Sequence, residues 1–293
     1  MKPPPFQYHD PTTLAEAVSL LGTLDNAKLL AGGQSLMPML NMRFVLPDHI
    51  VDLNRVDGLA TIKETGGALE IGAMTRQRDI EYSDLVKAKC PLLHQAVMHI
   101  GHRQTRNRGT IGGSLCHLDP AAELVSVAAA HDAMVVVAGQ KGQREIAFKD
   151  FPAGYLTPAI ELNEIVTAVR FPLWPAGHKS AFVEFSRRHG DFAIVSAAAL
   201  LQIDGGKIAR ASLTVGGVAV APVRASEVET AIVGQAPSSE LFRNACESCR
   251  SIEAMADIHA SADYRQHLAA VLSRRALEKA AGLADNAPWN RAH

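Results

Sequence analysis

The sequence has few cysteines, almost no net charge and no long apolar run, and each shortage argues against a class of protein. Its four cysteines in 293 residues are scattered, which is not the pattern of a disulfide framework. A net charge of -1 argues against nucleic acid as the main partner. No apolar run approaches the roughly 18 residues that span a bilayer, and the start, MKPPPFQYHD, is too polar for a signal peptide. We therefore expect a cytoplasmic protein without a transmembrane segment.

The sequence also lacks the common nucleotide-binding and metal-binding patterns. It contains neither the G-x-x-x-x-G-K-[ST] pattern of P-loop proteins nor the G-x-G-x-x-G pattern of the usual dinucleotide fold. Cys246 and Cys249 form a C-x-x-C pair, but a metal or iron–sulfur site needs more ligands nearby, and two small residues on a helix explain the pair as well. Five histidines also fail to form a metal-binding pattern, because none pairs convincingly with a cysteine or carboxylate at the spacing of metal ligands. They are His94, His99, His102, His117 and His131. We predict no metal site and no catalytic residue in this chain.

Two segments with paired glycines stand out instead. Residues 28–44 read KLLAGGQSLMPMLNMRF, and residues 108–124 read RGTIGGSLCHLDPAAEL. Consecutive glycines permit positive φ angles, and the exposed N–H groups of such a turn can form a concave nest for an anion. Two nests that face each other would hold a diphosphate from both sides, whereas tight strand-to-helix turns would explain either segment equally well.

The hydrophobic pattern predicts two mixed units followed by a third with an antiparallel meander. The first has strands at 6–8, 27–31 and 49–53, and a helix that begins at a capping box, Thr13–Glu16. The second has strands at 68–73, 133–139 and 164–172, helices at 76–82, 84–89, 91–100 and 120–130, and a polar loop at 101–114. The third has strands within 180–188, 192–204 and 207–219, then two or three helices that end near residue 281.

The loop before the second glycine pair is basic. It carries His102, Arg103, Arg106 and Arg108 within seven residues. These side chains could neutralise a diphosphate or dock a partner, and a solvated basic loop is an equally simple explanation.

An acidic pair follows the same glycines. Asp119 stands where it would cap a helix that begins near Pro120, and Glu123 lies one turn later. A carboxylate near a bound nucleotide often accepts hydrogen bonds from ribose hydroxyls, but Glu in a first helical turn is also what the helix dipole favours.

The two segments together, AGGQSLMPMLNMRF and RQTRNRGTIGGSLCHLDPAAEL, closely resemble the flavin-binding medium subunit of the molybdenum hydroxylases. The resemblance covers nearly the whole chain. It implies an α+β fold: a vanillyl-alcohol-oxidase-type FAD-binding fold of two subdomains, at residues 1–58 and 59–173, and a C-terminal domain at 174–282. That domain would pack a three-stranded antiparallel sheet against helices, and residues 283–293 would form a tail.

The same resemblance implies which residues contact FAD. They are Leu29, Leu30, Ala31, Gly32, Gly33, Gln34 and Ser35 in the first segment, Thr110, Ile111, Gly112, Gly113 and Ser114 in the second, and Ile100, Glu123, Ile160, Asp191 and Phe192 elsewhere. Asp191 and Phe192 would cover the flavin, although a phenylalanine that merely anchors its loop in the core fits the sequence nearly as well. Two departures stand out. Gln34 replaces a histidine that relatives often carry, and Val183 and Glu184 stand where relatives tend to have a lysine.

The resemblance also implies a function. A small subunit with two [2Fe–2S] clusters would pass electrons to FAD in this chain after a large molybdenum-cofactor subunit has hydroxylated the substrate. The complex is expected to be a dimer of heterotrimers. A stand-alone FAD-dependent oxidoreductase of the same fold and a non-catalytic scaffold are the alternatives.

Overall fold

The computed structural model describes residues 2–188 and 190–283. The chain is a mixture of helices and strands. Up to residue 172 the elements are β1 (Gln7–His9), α1 (Leu14–Thr23), β2 (Ala27–Leu30), α2 (Leu36–Asn41), β3 (His49–Asp52), β4 (Ile62–Thr65), β5 (Ala68–Gly72), α3 (Gln77–Tyr82), α4 (Asp84–Lys89), α5 (Pro91–Val97), α6 (Arg103–Arg108), α7 (Ile111–His117), α8 (Glu123–Ala130), β6 (Met134–Gly139), β7 (Gly142–Ala147), β8 (Pro152–Gly154), β9 (Thr157–Pro158) and β10 (Ile165–Pro172).

The remaining elements are strands first and helices afterwards. They are β11 (Lys179–Ser186), β12 (Ala193–Asp204), β13 (Lys207–Gly216), β14 (Val223–Arg224), α9 (Ser226–Ile232), α10 (Ser239–Cys246) and α11 (Ala262–Ala280). Short 3-10 helices cover Leu53–Arg55, Phe148–Asp150 and Glu247–Ser251. No helix in the described part of the chain is both long and apolar enough to cross a membrane.

These elements form two compact units. Unit 1 comprises the chain up to Val86, His102–Leu118 and Ala133–Pro172, and unit 2 comprises Lys87–Gly101, Asp119–Asp132 and the chain from Leu173 onward. The domain boundaries at 58 and 173 stay predictions. Of the predicted tail, residues 284–293 lie outside the described residues.

Unit 1 begins with a parallel three-stranded sheet in the order β1-β3-β2. Helix α1 buries Ala17, Val18 and Leu21 in a cluster that includes Val51 of β3. The predicted start of this helix is confirmed, since the Thr13 hydroxyl accepts a hydrogen bond from the Glu16 N–H at 3.2 Å. Strand β2 is half-buried, although three of its four residues are apolar.

The second sheet of unit 1 is antiparallel, with five strands in the order β4-β5-β10-β6-β7. Its central strands are the predicted ones, because β5, β6 and β10 are rich in buried apolar residues. The edge strands β4 and β7 were not predicted. Their residues are mostly exposed and polar, so neither shows the alternation on which a strand prediction depends.

Residues 101–114, predicted as a polar loop, are largely helical. Helix α6 covers Arg103–Arg108, and α7 begins at Ile111, so the second glycine pair lies inside the first turn of a helix. Charged residues and glycines are poor signals for a helix. Here the Thr110 cap and the packing of both helices decide the conformation.

Unit 2 contains the predicted meander of β11, β12 and β13, and the two-residue strand β14 extends it to four strands. The three long strands are antiparallel neighbours in chain order. Helix α11 packs on this sheet, and Cys246 and Cys249 are buried in the same cluster. The Cys249 Sγ lies 3.7 Å from the Ser273 hydroxyl. The two cysteines therefore act as small core residues.

Candidate functional site

The first glycine segment is a tight turn at the end of β2. The strand ends at Leu30, Gly33 adopts a φ of +74°, and α2 begins at Leu36. A side chain at Gly33 would be strained in that conformation, so glycine is needed for the turn itself. Leu29, Leu30 and Ala31 are half-buried beside it.

The turn leaves backbone donors available. Among the residues that the structure describes, the N–H groups of Gly33, Gln34 and Ser35 donate no hydrogen bond. The Gln34 side chain is exposed, and its Nε2 donates to the Gly32 carbonyl at 3.2 Å. Consecutive unpaired amides of this kind suit an anion such as a diphosphate, so this segment fits the cofactor that the sequence suggested.

The second glycine segment is not an open nest, so that part of the prediction is wrong. The N–H groups of Ile111 and Gly112 donate to the carbonyls of Thr75 and Ala73, at 3.2 and 2.8 Å. The N–H of Gly113 donates to the Thr110 hydroxyl at 3.0 Å, and that of Ser114 to the Thr110 carbonyl at 3.1 Å. Four of the five amides that the sequence assigned to a diphosphate in this segment, Ile111 to Ser114, therefore have partners within the protein.

The glycines of the second segment permit close packing instead. A Cβ at Gly112 would lie 2.6 Å from the Ala73 Cβ, and one at Gly113 would lie 3.4 Å from the Ala31 Cβ. Helix α7 therefore packs closely against the end of β5 and the first segment.

The two glycine segments are neighbours, as the sequence predicted. A Cβ at Gly32 would lie 2.3 Å from the Arg108 carbonyl oxygen and 2.8 Å from the Gly109 Cα. Real Cβ atoms do not approach a backbone this closely, so only glycine fits at position 32. The contact places the unpaired amides of the first segment next to the backbone of the second.

Two residues that the sequence did not single out connect these segments. Arg76, just before α3, donates to the Arg108 carbonyl and to the Asn54 side-chain oxygen. Asn54 donates in turn to the Ala31 carbonyl at 3.0 Å. Neither residue belongs to a recognisable motif, and only the folded chain brings them together.

Two of the four basic residues before the second glycine pair have side-chain partners within unit 1. The Arg106 Nε lies 2.8 Å from the Glu81 carboxylate, and these side chains are only 11% and 9% exposed. The Arg103 guanidinium donates to the Tyr82 hydroxyl at 3.2 Å. Arg106 therefore anchors α6 on α3, which argues against its use in neutralising a diphosphate.

Glu123 lies in unit 2 and begins α8, whereas the sequence placed this helix start near Pro120. Asp119 does not cap the helix but accepts from the Ala121 N–H at 2.9 Å in the turn before it. Burial, together with the nearby Glu184 carboxylate, raises the pKa of Glu123 to about 8. Glu184, only 7% exposed, lies 3.3 Å from the Nδ1 of His99.

The other candidates have different surroundings. Phe192 is 73% exposed in unit 2, so it does not anchor its loop in the core. The Asp191 carboxylate accepts from the Phe192 N–H at 3.0 Å and pairs with Arg187 at 3.2 Å. Ile100 is buried in unit 2, and Ile160 is half-buried in unit 1. Their contacts with FAD stay predictions, as do those of all the other candidates.

No group of three or more His, Cys, Asp or Glu side chains among the described residues could hold a metal ion. The polar groups gathered at the first segment are backbone amides, which suit an anionic ligand and not a cation.

Comparison with known proteins identifies two families along the chain. Residues 4–174 match the family described as the FAD binding domain in molybdopterin dehydrogenase. Residues 180–280 match the CO dehydrogenase flavoprotein C-terminal domain.

The similarity extends over nearly the full length of several relatives. The 6-hydroxypseudooxynicotine dehydrogenase complex subunit alpha of Paenarthrobacter nicotinovorans is 40% identical, over 96% of each chain. The carbon monoxide dehydrogenase medium chain of Afipia carboxidovorans is 37% identical, over 98% of this chain and 100% of its own.

Solved structures agree with this assignment. A chain of the reconstituted CO dehydrogenase from Oligotropha carboxidovorans superposes with a TM-score of 0.94 at 37% identity, covering 97% of this chain and all of its own length. Because both the sequence and the fold match from end to end, the chain belongs to the FAD-binding flavoprotein subunits of the molybdenum hydroxylases, the oxidoreductase family that includes the medium chains of carbon monoxide dehydrogenase.

Proposed function

We propose that this chain is the FAD-carrying electron-transfer subunit of a heterotrimeric molybdenum hydroxylase. It would take electrons from [2Fe–2S] clusters of a small subunit and deliver them to an external acceptor, after substrate hydroxylation at a large molybdenum subunit. A vanillyl-alcohol-oxidase-type arrangement of the FAD-binding subdomains, a dimer of heterotrimers and a cytoplasmic location belong to the same proposal. Relatives named as medium chains or as subunits of a complex support the assembly.

The observation that carries the proposal is the set of unpaired amides in the first glycine segment. Gly33, Gln34 and Ser35 present consecutive N–H groups with no partner among the described residues. Gly32 lets this turn lie directly against the backbone of Arg108. A rigid turn with free donors is suited to bind a diphosphate, because its amides need little reorganisation when the anion arrives.

The role of this chain is to bind and orient the cofactor. Bound FAD supplies the capacity to accept and release electrons, which ordinary side chains lack. The amides of the first segment would hold the diphosphate, while Ser114 and Gly113 of α7 would line the adjacent wall. Gln34, which has no ionisable group, can donate and accept hydrogen bonds there at any pH.

Substitution of Gly33 tests the turn. Gly33→Ala would strain the φ of +74° and displace the amides, whereas Gly234→Ala would strain a φ of +84° where nothing lies within 4 Å. Both variants should lose about 1 kcal/mol of stability, which urea unfolding measures. Only Gly33→Ala should weaken FAD binding, followed by quenching of flavin fluorescence on the full chain. Equal FAD affinity in the two variants would contradict the role of the turn.

Purification from the native host tests the assembly. A flavin absorption band together with iron–sulfur absorption and two companion chains is the expected result. A flavin band from this chain alone would favour a stand-alone flavoenzyme. If the chain binds no flavin even after FAD is added, the proposal is wrong.

A further inference from the structure

Arg76 makes two hydrogen bonds that connect parts of unit 1 distant in sequence. One guanidinium nitrogen donates to the carbonyl of Arg108, the first residue of the second glycine segment. The other donates to the side-chain oxygen of Asn54, which follows β3. Arg76 itself stands at the position just before α3, so its backbone is fixed by the start of that helix.

Asn54 extends this connection to the first glycine segment. Its side-chain nitrogen donates to the Ala31 carbonyl at 3.0 Å, and its backbone N–H donates to the Asp52 carboxylate at 2.8 Å. Asn54 is thereby held at the end of β3, with its amide group oriented toward both Ala31 and Arg76. A continuous series of hydrogen bonds therefore runs from Ala31 through Asn54 and Arg76 to Arg108.

The two ends of this series also meet directly. The Arg108 carbonyl that accepts from Arg76 is the atom closest to Gly32, at 2.3 Å from where a Cβ would stand. The unpaired amides begin at the next residue, Gly33. Any change in the position of the Arg108 carbonyl relative to Ala31 therefore changes where those amides lie.

We infer that Arg76 is a positioning residue that fixes the separation of the two glycine segments and thereby sets the affinity of the first segment for FAD. The inference rests on the proposed function. A planar guanidinium can donate to two acceptors at a set angle, whereas a lysine ammonium presents a compact charge on a flexible chain. Glutamine in place of Arg76 cannot reach both acceptors, so the segments could separate.

The experiment compares Arg76→Gln with Arg78→Gln in the full chain. Arg78 lies on α3 two residues further on and is exposed; within the described part of the chain its side chain makes only a 3.4 Å contact with Asn107 and a cation–π contact with the Tyr82 ring. The dissociation constant of FAD is measured by flavin fluorescence, at a temperature where circular dichroism shows each variant folded. We expect Arg76→Gln to raise this constant about tenfold or more, and Arg78→Gln to change it less than about twofold.

A double-mutant cycle separates positioning from general destabilisation. Because Asn54 and Arg76 act in one series, the effects of Asn54→Ala and Arg76→Gln on FAD affinity should be clearly less than additive. Arg76→Lys keeps the charge but should still bind FAD more weakly than the wild type. It replaces Arg76→Gln in the experiment if the glutamine variant fails to fold. Additive effects in folded variants would overturn the inference.

The outcomes distinguish the inference from the function on which it rests. If the wild-type chain fails to bind FAD, the proposed function is wrong. If the wild-type chain binds FAD and a folded Arg76 variant binds it equally well, the proposed function stands and the positioning role is wrong. A lower melting temperature without a change in FAD affinity would likewise show a purely structural role.

Discussion

The glycines of the two segments are required for different physical reasons. Gly33 is needed for its positive φ, which turns the chain after β2. Gly32 and Gly112 have ordinary φ angles but lie where a Cβ would strike other atoms, the Arg108 carbonyl and Ala73 respectively. The glycine pairs therefore combine a turn requirement with a packing requirement, and the two can be tested separately.

Gly32→Ala should destabilise the protein by about 1–3 kcal/mol, because the new methyl group forces the Arg108 backbone to move. Gly154→Ala is the matched control, since a Cβ there meets only Thr157 at an ordinary 3.8 Å. Urea unfolding of the two variants measures the difference. Similar free energies of unfolding would mean that the contact at Gly32 relaxes at no cost.

Glu123 should make stability fall as pH rises. Its pKa is about 8 in the folded chain, against 4.5 for an ordinary glutamate. Between these values the folded state keeps a proton that the unfolded state loses, so the free energy of unfolding decreases by up to about 1.4 kcal/mol per pH unit. Glu123→Gln should remove this decrease, which urea unfolding of the FAD-free chain at pH 5 and pH 8 detects.

Glu164 provides a control, because its effect on stability should change with pH in the opposite direction. The hydrogen bond from Arg144 lowers the pKa of Glu164, so its contribution to stability is present at neutral pH and lost as pH falls. Glu164→Gln should therefore cost most at neutral pH and least in acid. The same pH dependence in wild type and Glu123→Gln would refute the prediction for Glu123.

At the scale of elements, α6 is held on α3 by side chains along both helices. The Arg106–Glu81 pair is largely buried, whereas the Arg250–Glu247 pair, at the same 2.8 Å separation, is 44% and 58% exposed. Charges in a buried pair are screened less by water than charges in an exposed pair, so the loss of one interaction costs more there. The two pairs thus differ in burial but not in distance.

Glu81→Gln should cost more than Glu247→Gln, which should cost less than about 1 kcal/mol because its pair is exposed. Equilibrium unfolding of both variants at moderate salt provides the comparison. Equal losses for the two variants would contradict the dependence on burial.

The sequence predicts elements well where burial determines the pattern. Strands β6, β10 and β12 are apolar and buried, and each was predicted within a residue or two. Prediction from the sequence fails where tertiary contacts determine the secondary structure. Helix α7 contains two glycines and depends on Thr110 and on packing against Ala73, neither of which a local pattern reveals.

In the candidate site, too, local patterns reveal some residues, whereas others are brought together only by folding. The glycine segments could be singled out because paired glycines are a local signal. Asn54 and Arg76 could not, since they lie 22 residues apart and meet only after folding. The pairing of the α7 amides with Thr75 and Ala73 was hidden for the same reason, because it depends on a strand end that lies far away in the sequence.

At the scale of the whole molecule, the chain passes between its two units several times. Helices α5 and α8 lie within the predicted FAD-binding region but belong to unit 2, where they pack on β11, β12 and β13. The predicted boundary at 173 would separate these helices from their sheet.

A fragment of residues 1–173 should therefore fail to fold cooperatively, because α5 and α8 would expose apolar faces. Size-exclusion chromatography and thermal melting, with the full chain as control, measure this. A monomeric fragment with a sharp melting transition would instead show that residues 1–173 are an independent domain.

The position of β10 has a consequence for synthesis on the ribosome. This strand is the last of its sheet in the sequence yet the central one in space, where it pairs with both β5 and β6. Until residues 165–172 have left the exit tunnel, the two hairpins β4-β5 and β6-β7 have no common neighbour and each presents a bare strand edge. The nascent chain thus remains open to mispairing from the synthesis of β5 to that of β10, which is the interval in which a chaperone would help it most.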